Sequence, residues 1–208
     1  MSTWHIFSGG ELLENSFIHI SAADKVICAD RGYVHAEKMA IVPDIIVGDF
    51  DSYTGKLPEN TEIHRSVPEK DDTDTMLALK LAIDRGADNV KIYGALGGRF
   101  DHAFANVQAL KYASEHGCHA VIEDSDNEIC IQTSGEMTYP LRRGWYFSIF
   151  AYSEILRIKK LVGVKYPLEN AELKSSFPLG TSNEIISGSA LLSIESGTAM
   201  IVRSKMQP

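Results

Sequence analysis

The first part of the chain alternates short, uninterrupted apolar runs with longer segments in which apolar residues recur at helical spacing. The apolar runs are residues 4–7, 25–29, 45–47, 90–93 and 120–122, mostly followed by Gly or Asp. Runs of this length and character are typical of strands that are buried on both faces of a sheet.

Two segments between these runs have the periodicity of helices. Residues 73–85 begin with acidic side chains and end at Arg85-Gly86, the charge order that a helix dipole favours. Residues 99–116 carry an apolar stripe, which we expect to face the core: Phe100, Ala103, Phe104, Val107 and Leu110. This alternation predicts a parallel sheet with helices on both faces.

The pattern changes near residue 133. Beyond it, apolar and β-branched residues concentrate in strand-length segments, with no convincing helical period: residues 145–151, 155–162, 190–195 and 198–203. Such segments predict a small antiparallel β-sandwich. The predicted fold is therefore an N-terminal α/β domain with a parallel sheet, residues 1–132, followed by a smaller C-terminal β-sandwich domain, residues 133–208.

Net charge, the length of apolar runs and the cysteine pattern limit which binding partners and which cellular compartment are expected. The formal net charge is −8, and the 20 basic residues are scattered, so a nucleic-acid partner is not expected. No apolar run approaches the length of a membrane span, and the N-terminus does not resemble a signal peptide. The three cysteines form no CxxC motif and lie in apolar stretches, as buried free thiols do. We expect a cytoplasmic protein.

Carboxylates follow two of the predicted strands. Asp30 ends one strand, and Asp49 and Asp51 follow the next. Ligands of open parallel sheets bind at the carboxyl ends of the strands. In an extended chain Asp49 and Asp51 point to the same side while Phe50 turns to the core, so a divalent cation would relieve their repulsion. The alternative is a polar turn.

A second acidic group opens the predicted helix at residue 73. Asp71, Asp72 and Asp74 exceed what capping the helix requires, which is the alternative explanation. A helix N-terminus favours anions, so a cation is expected there only together with a phosphate group.

The loop at residues 94–102 has the residues of a phosphate site. Gly97 and Gly98 allow close approach of the backbone, and Arg99 offers a charged fork for oxygens. Arg99, His102 and Asn106 are spaced along one helical face. The loop lacks the Gly-Lys-Ser/Thr ending of a P-loop, and a Gly-rich turn with polar surface residues is the alternative.

Together these segments resemble the thiamin pyrophosphokinase family. That family carries a GDxDS segment, an acidic DxTD segment opening a helix and a GGRxDH-like loop in this order, here residues 48–52, 71–74 and 97–102. Residues 28–32 resemble its CADGG segment, and residues 181–183 its late TSN segment in a β-rich C-terminal domain. Each motif is weak alone, but the ordered set is specific and spans most of the chain.

The resemblance implies a magnesium-assisted, in-line transfer of the diphosphate of ATP to the hydroxyl of thiamin, which gives thiamin diphosphate and AMP. It also implies a homodimer, with thiamin bound between domains of different subunits. Its implied catalytic residues are Asp49, Asp51, Asp74, Arg99 and Asp101. Of these, Asp49, Asp51 and Asp74 are the implied magnesium ligands. Its implied contacts on the ATP side are Asp30, Arg31, Asp71, Gly97, Gly98 and His102. Its implied thiamin contacts are Thr181, Ser182 and Asn183.

The sequence departs from the family pattern at two places. Arg31 replaces the commoner Gly of the CADGG segment. The residues after Asn183 lack the aromatic side chain that some members place there to stack on thiamin.

Two other classes of protein are compatible with parts of the sequence. A haloacid-dehalogenase-like phosphatase also places DxD at a strand end, but residues 51–53 do not continue its motif. A non-catalytic nucleotide-sensing or binding protein is suggested by the β-rich tail, although a binder does not need so many clustered carboxylates.

Overall fold

The computed structural model describes residues 2–12, 18–49, 58–59, 61–65 and 72–207. Contacts divide the chain into two compact units, Met1–Ser125 and Asp126–Pro208. The sequence pattern predicted a boundary after residue 132. The difference is one strand, Asn127–Gln132, which pairs antiparallel with the last strand of the chain and so lies in the second unit.

The described part of the first unit contains a parallel sheet. Its strands are β1 Trp4–Phe7, β2 Lys25–Ala29, β3 Ile45–Gly48, β4 Glu62–Arg65, β5 Asn89–Tyr93 and β6 His119–Glu123. They run in the order β6-β5-β1-β2-β3-β4, and every pair is parallel. The predicted parallel sheet is confirmed. Strand β4 was not predicted, because its sequence Glu-Ile-His-Arg is polar and mostly exposed.

Three helices are present in the described residues of this unit: α1 Gly32–Lys38, α2 Asp74–Asp84 and α3 Phe100–Glu115. Helices α2 and α3 lie within the predicted bounds. The Thr73 hydroxyl caps α2 by accepting a hydrogen bond from the backbone N–H of Met76 at 3.2 Å. Helix α1 was not predicted, since seven residues are too few to show a helical period.

The sheet is buried on both faces. Tyr33 and Ala36 of α1 pack in one cluster with Phe7, Cys28 and Ile46 of the strands. The alternate residues of these strands and of β5, which point the other way, are also buried: Ile6, Ile27, Ile45 and Ile92. Helix α2 contacts β1, β2 and β3, and α3 contacts α2 and β6.

The predicted core stripe of α3 is wrong at its N-terminal end. Phe100 is 81% exposed and Phe104 is 50% exposed, with their rings 6.4 Å apart. The buried face of α3 is instead Asn106, Val107, Ala109, Leu110 and Ala113. Helical spacing identifies a face of a helix, but it does not show where along the helix the packing partner begins.

The second unit is built from antiparallel strands. They are β7 Asn127–Gln132, β8 Gly135–Pro140, β9 Trp145–Ala151, β10 Ile155–Val162, β11 Leu168–Lys174, β12 Gly180–Asn183, β13 Ser189–Ser196 and β14 Ala199–Lys205. One set pairs in the order β12-β9-β14-β7, and a separate sheet has the order β11-β10-β13-β8. Tyr139 joins the two sets, since its hydroxyl donates to Gln132 Oε1 at 3.1 Å and its ring lies 5.1 Å from that of Phe147.

The cysteines agree with the sequence prediction. Cys28, Cys118 and Cys130 are buried free thiols. Burial raises the pKa of the Cys28 thiol to about 12, so the group is uncharged and unreactive at neutral pH. Among the described residues, no helix combines the length and apolar character needed to cross a membrane.

Candidate active site

A cleft opens where the order of the parallel strands reverses. The chain leaves β1 toward β2 on one side, and later returns to place β5 on the other side. Such a switch point is where open parallel sheets bind ligands. The loops after β1 and β5 line a cleft of about 690 Å³ there, together with residues from β2, α1, α2 and α3.

Glycines bring the two loops into backbone contact. The N–H of Gly10 donates to the carbonyl of Gly94 at 2.9 Å, and that of Ser8 donates to the carbonyl of Tyr93 at 2.8 Å. A Cβ on Gly10 would lie 2.5 Å from the Gly94 oxygen, so no larger residue fits. Gly94 also has φ +63°, a conformation that favours glycine. This close approach of the backbones forms the floor of the cleft.

Two of the predicted carboxylates, Asp30 and Asp74, line the cleft. Asp30 follows β2 with φ +47°, and Asp74 begins α2. Burial raises the pKa of Asp30, and the negative charges of Asp74 and Asp49 raise it further. Asp30 and Asp74 therefore line the same cleft, and Asp49 lies near enough for its charge to act on Asp30.

Asp30 has an unsatisfied buried oxygen. Among the described residues its Oδ1 has no hydrogen-bond partner, while the backbone N–H of Arg31 donates to the carboxylate. A buried carboxylate oxygen without a partner is costly, and a cation or a proton would remove the cost. Carboxylate oxygens are also the ligands that Mg²⁺ prefers.

Within the described residues, no three His, Cys, Asp or Glu side chains converge closely enough to enclose a metal ion by themselves. The predicted ligands Asp51 and Asp71, with Phe50, lie outside the described residues. Mg²⁺ commonly uses one or two carboxylates together with water and substrate phosphates. The donor set at this edge of the cleft therefore fits Mg²⁺ that arrives with a nucleotide.

The charge on Asp30 provides a stability test. Because the pKa of Asp30 is raised in the folded state, its ionised carboxylate lowers the free energy of unfolding at pH values above that pKa. This loss of stability disappears as the pH falls below the pKa of the unfolded state. Asp30→Asn should therefore raise the Tm of the magnesium-free protein by a few degrees at pH 7, and the gain should shrink near pH 4. Asn also tolerates the left-handed backbone at this position.

Differential scanning calorimetry without magnesium measures this difference, with Asp88→Asn, at an exposed position outside the cleft, as the control. An unchanged or lower Tm at pH 7 would show that the Asp30 carboxylate is not a source of electrostatic strain.

The loop after β5 carries the predicted phosphate-binding residues. Gly97 and Gly98 have φ +84° and +64°, and both line the cleft with Arg99 and His102. The guanidinium of Arg99 donates twice to Asp101, at 3.1 and 2.5 Å, and this partner lowers the pKa of the Asp101 carboxyl. Both side chains are mainly exposed, so the pair is free to exchange partners.

Two side-chain hydrogen bonds tie the loops to the helices. The buried Asn106 amide donates from Nδ2 to the carbonyl of Ala95 at 2.9 Å. The hydroxyls of Ser8 and Thr75 share a hydrogen bond of 2.9 Å. Each bond connects one loop of the cleft to the helix beside it, so the loops and helices form one framework.

Helix α1 contributes two cleft residues that the sequence pattern did not predict. His35 and Lys38 line the cleft, together with the predicted Arg31. The Nε2–H of His35 donates to the carbonyl of Gly10 at 2.7 Å. Positions 31, 35 and 38 are spaced so that they share one face of a helix. This spacing could have identified His35 and Lys38 as cleft residues, but only if α1 itself had been predicted.

The predicted thiamin contacts lie in the second unit, on β12. The Thr181 hydroxyl donates to the carbonyl of Pro178 at 2.9 Å. Ser182 is exposed with φ +58°, and its N–H donates to Ser148 Oγ at 2.9 Å. Asn183 is only 7% exposed, and its side chain bonds to backbone atoms of Tyr166 and Glu184.

Comparison with known proteins gives consistent matches. The family model for the thiamin pyrophosphokinase catalytic domain matches residues 18–122, and the model for the thiamin pyrophosphokinase vitamin B1 binding domain matches residues 127–201. Thiamine pyrophosphokinase of Bacillus subtilis (strain 168) is 31% identical over 216 residues, which cover 98% of this chain and 99% of that protein.

Solved structures of thiamin pyrophosphokinases are also similar to this chain. The crystal structure of thiamine pyrophosphokinase from Bacillus subtilis matches with a TM-score of 0.90 and 28% identity, over 99% of this chain and 100% of that chain. Thiamin pyrophosphokinase from Geobacillus thermodenitrificans matches with a TM-score of 0.85 and 29% identity, over 98% of this chain and 97% of that chain.

Proposed function

Because this chain belongs to the thiamin pyrophosphokinase family, it is an enzyme that transfers the diphosphate of ATP to thiamin, and we propose that the transfer takes place in the cleft beside β1 and β5. The products are thiamin diphosphate and AMP. The observation that carries the location is that Asp30 and Asp74 line the cleft at the switch point of the sheet together with the loop of Gly97 and Gly98. The charge of Asp49 also acts on Asp30.

The polyphosphate of ATP would bind to the glycine loops. Gly97 and Gly98 leave room for phosphate oxygens close to the backbone, and the start of α3 adds its N–H groups. Arg99 would leave Asp101 and direct its fork to phosphate oxygens, where it offsets the charge that develops during transfer. Asp101 then holds Arg99 in reach when no nucleotide is bound. Arg31 adds positive charge to the same cleft, which His102 also lines.

The predicted magnesium ligands are Asp49, Asp51 and Asp74, with Asp71 as a further candidate. When bound, Mg²⁺ neutralises phosphate charge and aligns the oxygens of ATP. The unsatisfied Oδ1 of Asp30 supports the proposal, since the carboxylates are arranged with excess negative charge. The residues of the chain thus orient ATP for in-line attack by the thiamin hydroxyl on the β-phosphorus.

We assign thiamin to the second unit, which would form a β-sandwich domain. The match of residues 127–201 to the vitamin B1 binding domain supports this assignment. Thr181 and Ser182 keep their predicted role as contacts from β12, where a register irregularity between Gly180 and Asn183 displaces the strand. We also propose a cytoplasmic homodimer.

Nucleotide analysis after incubation with ATP, Mg²⁺ and thiamin tests the function. Equal amounts of AMP and thiamin diphosphate are expected, with no AMP when thiamin or Mg²⁺ is left out. ADP would indicate transfer of a single phosphoryl group, and release of phosphate without thiamin diphosphate would indicate a hydrolase. Either result would contradict the proposal.

A further inference from the structure

Two buried hydroxyl groups meet where β1 ends and α2 begins. The side-chain oxygens of Ser8 and Thr75 lie 2.9 Å apart and share a hydrogen bond. Ser8 is 2% exposed and Thr75 is 8% exposed, and both residues line the cleft. The bond therefore connects the floor of the cleft to the first turn of α2.

The Ser8 end of this bond is fixed to the sheet. Ser8 directly follows β1, and its N–H donates to the carbonyl of Tyr93, the last residue of β5, at 2.8 Å. Two residues later, the N–H of Gly10 donates to the carbonyl of Gly94 at 2.9 Å. The position of the Ser8 hydroxyl is therefore set by β1 and β5.

The Thr75 end of the bond moves with Asp74. Asp74 and Thr75 are the first two residues of α2, and the Thr73 hydroxyl closes this turn by accepting from the N–H of Met76. Within this turn Thr75 is the buried residue, and the next buried position of α2 is Ala78. A change in the distance between Thr75 and the sheet would therefore displace Asp74, which lines the same cleft.

A hydrogen bond holds the first turn closer to the sheet than an apolar contact could. A methyl group in place of the Thr75 hydroxyl would lie about 3.5–4.0 Å from its neighbour. This distance is at least ~0.6 Å longer than the observed separation of 2.9 Å. Functional groups of a site must be held within about 0.5 Å, and Mg²⁺ demands near-ideal ligand geometry. The difference is large enough to disturb a metal ligand.

Stability alone gives no reason for a polar pair at this position. Replacing both partners of a buried hydrogen bond with apolar groups of the same shape can be nearly neutral, because neither group is then left unsatisfied. The other buried residues of α2 are apolar, namely Ala78, Leu79 and Ala82. The hydroxyl pair thus occurs at the buried position of α2 that adjoins Asp74.

We propose that Ser8 and Thr75 are positioning residues, whose hydrogen bond sets the distance between the end of β1 and the first turn of α2 and so holds the Asp74 carboxylate where the divalent cation binds. The inference rests on the proposed function, because it takes Asp74 as a ligand of the cation. In this role neither hydroxyl contacts the cation or the phosphates of ATP.

The Mg²⁺ dependence of AMP formation tests the Thr75 hydroxyl. Thr75→Val replaces it with a methyl group and should raise the Mg²⁺ concentration for half-maximal rate about tenfold, as loss of a group that orients a metal ligand does. The KM for thiamin should stay within about twofold of wild type, because the thiamin contacts are unchanged. Thr75→Ser retains the hydroxyl and should restore most of the Mg²⁺ affinity. An unchanged Mg²⁺ dependence in Thr75→Val would overturn the proposal.

Thr61→Val is the matched control. Thr61 is also buried, and its hydroxyl donates to the carbonyl of Pro43 at 2.9 Å, outside the cleft. The same substitution there removes one buried hydrogen bond, so the Tm should fall by a similar amount while the Mg²⁺ dependence stays as in wild type. If Thr61→Val shifted the Mg²⁺ dependence as much as Thr75→Val, loss of stability would explain both effects and the positioning role would be wrong.

Ser8→Ala removes the same hydrogen bond from its other end. Its Mg²⁺ dependence should shift as in Thr75→Val, and the double variant should be no worse than Thr75→Val alone. Additive effects would show that each hydroxyl contacts a ligand independently, which would contradict the positioning role. Circular dichroism and Tm measurements establish that each variant folds, and either single variant tests the bond without the other.

Cation binding without turnover separates this inference from the proposed function. The full chain is titrated with Mn²⁺ at a fixed concentration of a non-cleavable α,β-methylene analogue of ATP. Solvent proton relaxation measures the Mn²⁺ held by the protein, against a blank without protein. About tenfold weaker binding to Thr75→Val than to wild type supports the inference even if the wild type forms no AMP. Equal binding by the two proteins, or no binding by the wild type, overturns it even if the wild type forms AMP and thiamin diphosphate.

Discussion

Replacing Asp74 with Asn should lower the rate of AMP formation by about three orders of magnitude. The carboxylate lies at the start of α2, lines the cleft and raises the pKa of Asp30 through its charge. In the proposed mechanism it holds Mg²⁺ against the phosphates of ATP. Loss of a group that stabilises transferring phosphates is worth roughly 4 kcal/mol, which is about 10³ in rate.

The matched control is Asp84→Asn, because Asp84 lies at the other end of the same helix and does not line the cleft. It should keep turnover within about twofold of wild type, as most surface substitutions do. Both variants should be assayed over a range of Mg²⁺ concentrations. Turnover of Asp74→Asn within tenfold of wild type at saturating Mg²⁺ would remove Asp74 from the metal site.

Replacing Gly32 with Ala should give the largest loss of stability. Gly32 is the first residue of α1 and is buried against the end of β1. A Cβ there would lie 1.8 Å from the carbonyl oxygen and 2.4 Å from the carbonyl carbon of Phe7. Both atoms belong to the backbone of a buried strand, so no side chain can rotate away, and α1 must move as a whole.

The expected loss is about 3 kcal/mol in the free energy of unfolding, at the upper end of the range for overpacking. For a unit of this size it corresponds to a fall in Tm of about 10 °C. Activity should fall as well, because α1 carries the His35 side chain that bonds to the loop at Gly10. Thermal unfolding followed by circular dichroism measures the change.

Gly188→Ala is a suitable control, since a Cβ at Gly188 would have no atom within 4 Å. Its Tm should stay within about 2 °C of wild type. If Gly32→Ala unfolded at the same temperature as this control, the tight contact between α1 and β1 would be disproved.

Much of the secondary structure followed from the sequence, because buried parallel strands require uninterrupted apolar runs. The prediction failed where local pattern was weak. Helix α1 is only seven residues long, and β4 is polar. Phe100 and Phe104 had the spacing of core residues but are exposed, since what covers a helix face depends on distant parts of the chain.

The candidate site was also predictable only where a local sequence pattern marks its residues. Acidic residues and glycines at strand ends predicted a ligand near Asp30, Asp49, Asp74 and the loop at Gly97 and Gly98. The structure places Asp30, Asp74 and this loop along one cleft. The contributions of His35 and Lys38 depended on a helix that showed no pattern. Asn183 had a motif that predicted contact with thiamin, but the motif did not reveal that its amide bonds to the backbone of Tyr166.

The sequence by itself determined which residues form strands, which loops can approach phosphate and which family the motifs resemble, because these properties depend on neighbours along the chain. Only the tertiary structure decided that β1 lies between β2 and β5, so that the loops at Gly10 and Gly94 meet. It also decided that the Asn183 side chain is buried and bonds to the backbone of Tyr166. Strand order and buried hydrogen bonds depend on contacts between residues far apart in the sequence, which a local pattern does not encode.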